Sequence, residues 1–86
     1  MATNLIIPEN VLKKLNDLPK EVRIKFWEQL ERLLAHPSYP GLRNEKIKGT
    51  DQWAFSITMN YRATYIRGEM GIIVTAIGTH KEVFGD

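Results

Sequence analysis

Pro8, Pro19 and Pro37 punctuate the first half of this chain, and the stretches between them are patterned for helix. Pro8 ends the pairing of a short strand over residues 4–7 and suits the first turn of a helix over Glu9–Asn16, where Val11, Leu12 and Leu15 form an apolar stripe. Asp17-Leu18-Pro19 separates it from a longer helix over Lys20–Ala35. Here Val22, Phe26, Leu30, Leu33 and Leu34 recur at helical spacing, with Trp27 on the margin. Glu21 and Lys25, and Glu28 and Arg32, fall at i,i+4 on the wet side of this helix. His36-Pro37 stops it, because a residue before proline avoids helical geometry. Two helices with so short a linker form an antiparallel hairpin with one shared apolar face. That face needs a sheet to cover.

The second half supplies one, because its pattern switches to a period of two. Residues 45–48 read as a strand and residues 49–52 as a turn. Trp53, Phe55, Ile57 and Met59 then alternate with Ala54, Ser56, Thr58 and Asn60, which points the first set at the helices. Trp27 and Trp53 read as core anchors. Strands over residues 61–67 and Gly71–Thr79 follow, with a hairpin at residues 68–71. The fold class is α+β, in the order β-α-α-β-β-β, with the helical hairpin packed on a mostly antiparallel sheet. At 86 residues there is room for a single domain spanning residues 1–86.

Composition narrows the chemistry. Hydrophobic content of 43% and charged content of 26% suit a folded soluble chain. The lack of cysteine removes disulfides, thiolate nucleophiles and sulfur-ligated zinc, and is compatible with a reducing cytosol. His36 and His80 are too far apart in sequence for a metal signature, so neither metal nor cofactor is expected. No apolar run approaches the ~20 residues of a membrane span, and the opening residues lack the regions of a secretory signal; a cytoplasmic protein with no membrane partner is expected. The net charge of +2 is unevenly spread. Between His36 and Arg67, Arg43, Lys46, Lys48, Arg62 and Arg67 face only Glu45 and Asp51, which leaves +3 there and −1 elsewhere.

Alternation along residues 61–66 puts Tyr61, Ala63 and Tyr65 on one face and Arg62, Thr64 and Ile66 on the other, so Arg62 is expected to be exposed, away from the core. His80 follows the last strand. A permanent cation beside an imidazole that titrates near neutrality suits proton transfer next to a phosphate. RNA cleavage by transesterification needs a base for the 2′-OH, positive charge on the phosphorane and an acid for the departing 5′ oxygen. Glu45 and His80 are the candidate proton-transfer pair, Arg62 the electrostatic stabiliser, and Lys46 and Lys48 the phosphate anchors on the same exposed sheet face. Phe84 is a candidate to stack on a base, and Arg43 and Lys81 are further candidate RNA contacts. Plainer readings exist: Arg62 can pair with Glu45 across the sheet, His80 can be a solvated cap, and Phe84 can pack on the core. His36 reads as a helix end.

The short strand, the helical hairpin bent at Leu18-Pro19, Lys46-Ile47-Lys48-Gly49, Tyr61-Arg62-Ala63-Thr64-Tyr65 and Gly78-Thr79-His80 together resemble the RelE/ParE toxin superfamily. The ending, with Val83-Phe84-Gly85 three residues after His80, is similar to that of YafQ-type toxins, whose late histidine and phenylalanine belong to the active region. The resemblance implies a type II toxin that cleaves mRNA in the ribosomal A site. It also implies a cognate antitoxin as partner, and operator DNA only through that complex. It matches Arg62 to the family's central strand arginine, His80 to the late catalytic histidine, and Glu45 to the glutamate of YoeB-like members. The chain departs from many relatives in placing Ala54, Ser56 and Thr58, rather than basic residues, on the outward face of the strand before Arg62. ParE-like relatives that poison DNA gyrase, and a degenerate toxin that only binds its antitoxin, are the other function classes this fold admits.

Overall fold

The computed structural model describes residues 4–69 and 71–85. The element order is β1 (Asn4–Ile6), α1 (Glu9–Asn16), α2 (Lys20–Ala35), a 3₁₀ turn (Pro40–Leu42), β2 (Glu45–Lys46), β3 (Gln52–Ser56), β4 (Tyr61–Gly68), β5 (Gly71–Thr79) and α3 (His80–Phe84). The five strands form one sheet in the order β1-β5-β4-β3-β2, with β1 parallel to β5 and every other pairing antiparallel. This is the expected α+β arrangement: the four stretches read as strands after the helices are all present, one more than the order β-α-α-β-β-β counts, and a third helix is additional.

The proline punctuation sets both long helices, since Pro8 and Pro19 occupy the N-cap positions of α1 and α2. Their apolar stripes bury Val11, Leu15, Val22, Phe26, Leu30 and Leu33 against Phe55, Ala63, Tyr65, Val74 and Ile77 of the sheet. Phe26 sits at the centre with no exposed surface, its ring 6.2 Å from that of Phe55. A fully buried side chain of this kind contributes ~1.5–3 kcal/mol through surface removed from water. Gln29 is a buried polar strut: its amide donates to the carbonyls of Gly41 and Ser56 at 3.1 and 2.8 Å, which ties α2 to the 3₁₀ turn and to the end of β3.

Several local expectations are corrected. β3 stops at Ser56, because the Ile57 N–H donates to the Tyr61 carbonyl and starts a turn, and Met59 is consequently 95% exposed rather than core-facing. Trp27 is 46% exposed and only leans its edge on Phe26, so it is no core anchor, whereas Trp53 does pack on the core. Lys25 pairs with Glu28 instead of Glu21, and Arg32 donates to Gln29 and stacks over Tyr39 instead of pairing with Glu28. Of the expected hairpin, Met70 lies outside the described residues, as do Met1, Ala2 and Thr3 of the stretch read as lacking a secretory signal. Gly68 does pair with Gly71. Gly71 has φ of 141°, and a Cβ there would lie 1.9 Å from the Asn4 carbonyl oxygen; only glycine lets β1 approach so closely. No described helix is long and apolar enough to cross a membrane.

The unforeseen helix α3 has clear local causes. Thr79 accepts from the Glu82 N–H at 3.2 Å while the Glu82 carboxylate accepts from the Thr79 N–H at 2.9 Å, a capping box in which each residue satisfies an orphan donor of the other. Gly85, with φ of 80°, ends the helix in the left-handed region. These two signals turn the chain out of β5 and into a helix. With them it folds over the sheet face opposite α1 and α2, touching β4 and β5.

Candidate active site

Cross-strand partners share a face, so the ladder assigns the outer surface of the sheet. Glu45 lies opposite Ala54, Ala54 opposite Thr64, Ser56 opposite Arg62, and Arg62 opposite Gly78. Glu45, Gln52, Ala54, Ser56, Arg62 and Thr64 therefore share the face away from the long helices. Lys46 does not. It is paired with Trp53, which is paired with Tyr65, and so belongs to the opposite face from Arg62. Lys48 falls in the turn after β2 rather than in the strand. The expected face carrying Glu45, Lys46 and Lys48 beside Arg62 is corrected to one carrying Glu45 alone of the three, because a strand of two residues can point only one of them each way.

Arg62 is the centre of a small cluster. Its Nη2 lies 3.6 Å from the Glu45 carboxylate, and its guanidinium carbon stands 5.7 Å from the centre of the Phe84 ring. The Phe84 ring is in turn 4.6 Å from the His80 imidazole, at 46°. The structure thus links Glu45, Arg62, Phe84 and His80 in one continuous chain of contacts. Arg62 is not exposed as expected: its side chain is only 12% accessible, against 70% for Glu45. Its Nε is buried with no hydrogen-bond partner, while Nη2 faces the Glu45 carboxylate. His80 is exposed at the first position of α3, and Lys81 beside it is exposed too. Arg43 adopts a left-handed backbone with φ of 49° and opens on a different cleft, with Lys25, Gln29 and Met59. His36 caps the end of α2, outside the cluster.

What places His80 and Phe84 is α3, and an ion pair the sequence reading passed over holds α3 down. Lys14 of α1 donates to the Glu82 carboxylate at 2.7 Å. That contact, with the backbone and hydroxyl hydrogen bonds from Thr79, lowers the Glu82 pKa to about 2, and Glu82 in return raises that of Lys14. Gly78 makes room for the arrangement, since a Cβ there would meet Glu82 Oε1 at 2.9 Å. The signal was legible in Thr79-x-x-Glu82, which has the spacing of a capping box.

Beside this cluster runs a cleft of about 310 Å³. Ile47 and Thr50 form one wall, Val83 and Phe84 the other, and Gln52, Thr64 and Thr75 line it as well. Sequence reasoning missed Gln52 and Thr75. Thr75 is the residue of β5 left unpaired where the β4–β5 ladder shifts register between Thr64 and Tyr65, and its hydroxyl lies within hydrogen-bond distance of Thr64 and Gln52 on this face. Among the described residues no three His, Cys, Asp or Glu side chains come together as a metal site would require.

No protein-family model matches the sequence, and no curated protein matches it. Solved structures do resemble it. A mutant of the Escherichia coli toxin RelE in the free state superposes with a TM-score of 0.76 at 24% identity, covering 99% of this chain and 93% of that one. The archaeal RelE-RelB complex from Pyrococcus horikoshii gives 0.75 at 24%, over 92% and 96%. A YoeB-YefM complex from Staphylococcus aureus gives 0.73 at 16%, over 93% and 99%. A YoeB/ParE toxin from Agrobacterium tumefaciens is similar as well, with a TM-score of 0.75 at 15% identity. The chain has the fold of the RelE and YoeB toxins, the fold that its resemblance to the RelE/ParE superfamily implied.

Proposed function

We propose that this protein is the toxin of a type II toxin–antitoxin pair, a cytoplasmic endoribonuclease that cuts mRNA on the ribosome and is silenced by a cognate antitoxin. The observation that carries the reading is Arg62, a largely covered guanidinium paired with Glu45 through Nη2 while its buried Nε has no hydrogen-bond partner. A buried donor left unmet costs ~1–3 kcal/mol, and such costs concentrate where a ligand satisfies them. The planar guanidinium matches phosphate oxygens. Neighbours of the same fold include toxins alone and toxins bound to YefM or RelB, which supports a protein partner for this one.

In this reading Glu45, the exposed partner of Arg62, takes the 2′-OH proton, and the 2′ oxygen bonds to phosphorus as the P–O5′ bond breaks. Arg62 leaves Glu45 for the phosphorane oxygens, and His80 gives its proton to the departing 5′ oxygen. The products are a 2′,3′-cyclic phosphate and a 5′-hydroxyl, and every proton is accounted for without a metal. Phe84 stacks on a base, and Lys81 lies at hand for the backbone. Operator DNA is engaged only through the antitoxin complex.

Primer extension on a reporter mRNA in a purified translation system, with wild type, His80→Ala and a ribosome-free control, tests this. Cuts inside codons that need ribosomes and vanish with His80→Ala are expected. Intact mRNA at high protein concentration would overturn the nuclease reading and send the question to a supercoiling assay. Gyrase poisoning has its own supporting observation in the uncharged Ala54 and Ser56 of the outer face. A protein active in neither assay would be a toxin remnant that only binds its antitoxin.

A further inference from the structure

The cleft beside Arg62 is lined by apolar Ile47, Val83 and Phe84 and by polar Thr50, Gln52, Thr64 and Thr75, and the hydrogen bonds among the polar residues have a direction. The Thr75 hydroxyl donates to Gln52 Oε1 at 2.8 Å. Its single proton being used there, the 2.7 Å contact between the Thr64 and Thr75 hydroxyls must run from Thr64 to Thr75. The chain Thr64 to Thr75 to Gln52 is thus oriented, and it turns the Gln52 carbonyl inward. No acceptor for the Gln52 amide nitrogen is found among the described residues, so its N–H groups are the end of the relay that the cleft can use. The turn that carries Gln52 is itself pinned, with Thr50 Oγ1 donating to the Ile47 carbonyl at 2.8 Å and accepting from the Gln52 N–H at 3.0 Å.

We infer that this cleft is a nucleobase pocket that holds one unstacked base against Phe84 and selects bases presenting a carbonyl oxygen to the Gln52 amide. The volume of about 310 Å³ lies at the lower end of the ~300–1,000 Å³ usual for small-molecule sites, which suits a single ring system and no duplex. An aromatic ring to stack on, with a hydrogen-bonding amide in reach of the base edge, is how single-stranded bases are read. Guanine, uracil and cytosine all carry a carbonyl oxygen; adenine carries none. The Thr75 hydroxyl, beside the register shift of the ladder, is what holds the Gln52 amide in place. The inference rests on the RNA-cleaving reading for its biological substrate, and it extends that reading from the phosphate to the base beside it.

The test uses the full chain and two separate readouts. In the first, nucleoside 5′-monophosphates, which offer no internucleotide bond to cut, are titrated into the ¹⁵N-labelled protein while the Gln52 side-chain amide is followed by NMR. GMP, UMP and CMP are expected to shift it in a saturable way and AMP to bind about tenfold more weakly. Gln52→Glu, which keeps the acceptor for Thr75 and loses the N–H donor, is expected to erase that preference with the unfolding midpoint unchanged. Equal shifts with AMP and GMP, or an unmoved Gln52 amide, would overturn the pocket. The second readout is the distribution of bases at mRNA cut sites for wild type and Gln52→Glu. Selective binding with uncut mRNA keeps the pocket and removes the nuclease. Cut mRNA with an unchanged base distribution in Gln52→Glu keeps the nuclease and removes the pocket.

Discussion

The two faces of the sheet are built on different terms. Against α1 and α2 the strands present Phe55, Ala63, Tyr65 and Val74, all without exposed surface, and the rings of Phe26, Phe55 and Tyr65 stand about 6 Å apart in sequence. What is buried there is mainly apolar area removed from water. The opposite face carries a poorly satisfied arginine, a hydroxyl relay and a five-residue helix held by one ion pair and one capping box. A helix of that length has no stability of its own. The inner face thus determines whether the chain folds, and the outer face what it can do once folded. Stability and chemistry are separated by the thickness of one strand.

The comparison breaks most visibly on the inner face. Phe26→Ala should lose ~3–5 kcal/mol of unfolding free energy through the cavity it leaves, measured by urea titration. On the outer face, His80→Ala and Arg62→Met should each cut mRNA cleavage by at least ~10²-fold, as removal of an acid or a charge stabiliser ordinarily does. Neither should behave like Phe26→Ala in the same titration. Arg62→Met is the sharper of the two, because replacing a covered cation whose Nε is unsatisfied, and whose partner Glu45 is free to turn to water, by an apolar side chain of similar length should leave the unfolding midpoint unchanged or higher. A loss of several kcal/mol there would make Arg62 a structural residue and would collapse the distinction between the faces. Smaller still, Thr79→Ala should cost ~0.5–2 kcal/mol by removing the N-cap of α3, with the loss seen as faster amide exchange in α3 and not in α2.

The same division explains what the sequence made legible. The extents of α1 and α2 were readable, because prolines fix their starts and the apolar spacing of Val22, Phe26, Leu30 and Leu33 repeats over several turns, although Leu12 and Leu34 of the expected stripes are exposed. Arg62 was placed on the correct face by simple alternation with Tyr61 and Ala63, and its pairing with Glu45 was among the readings considered. Its covering was not foreseen, because α3 is too short to show a period and announces itself only through Thr79, Glu82 and Gly85. Lys46 was placed with Glu45 and Lys48 on one exposed sheet face, although neighbours in a strand point opposite ways. Gln52 and Thr75 come within hydrogen-bond distance across a register shift between Thr64 and Tyr65, and no local pattern in β5 marks that shift.

The smallest effect separates the faces by pH. Glu82 has its pKa lowered from 4.5 to about 2 by Lys14 and Thr79, so its contribution to holding α3 is present above the ordinary value and is lost as pH falls towards the depressed one. Lys14 has a pKa raised above 10.5, so its part is present below that value and is lost only as pH climbs past it. Between those limits the anchorage of α3 should be flat. Below about 4.5 the amides of α3 should exchange progressively faster relative to those of α2, whose buried face contains no ionisable side chain. Glu82→Gln should abolish that pH dependence, as its amide cannot titrate. If α3 and α2 loosen together on acidification in the wild type, the Lys14–Glu82 contact does not hold α3 separately, and His80 owes its position to packing of Val83 and Phe84 alone.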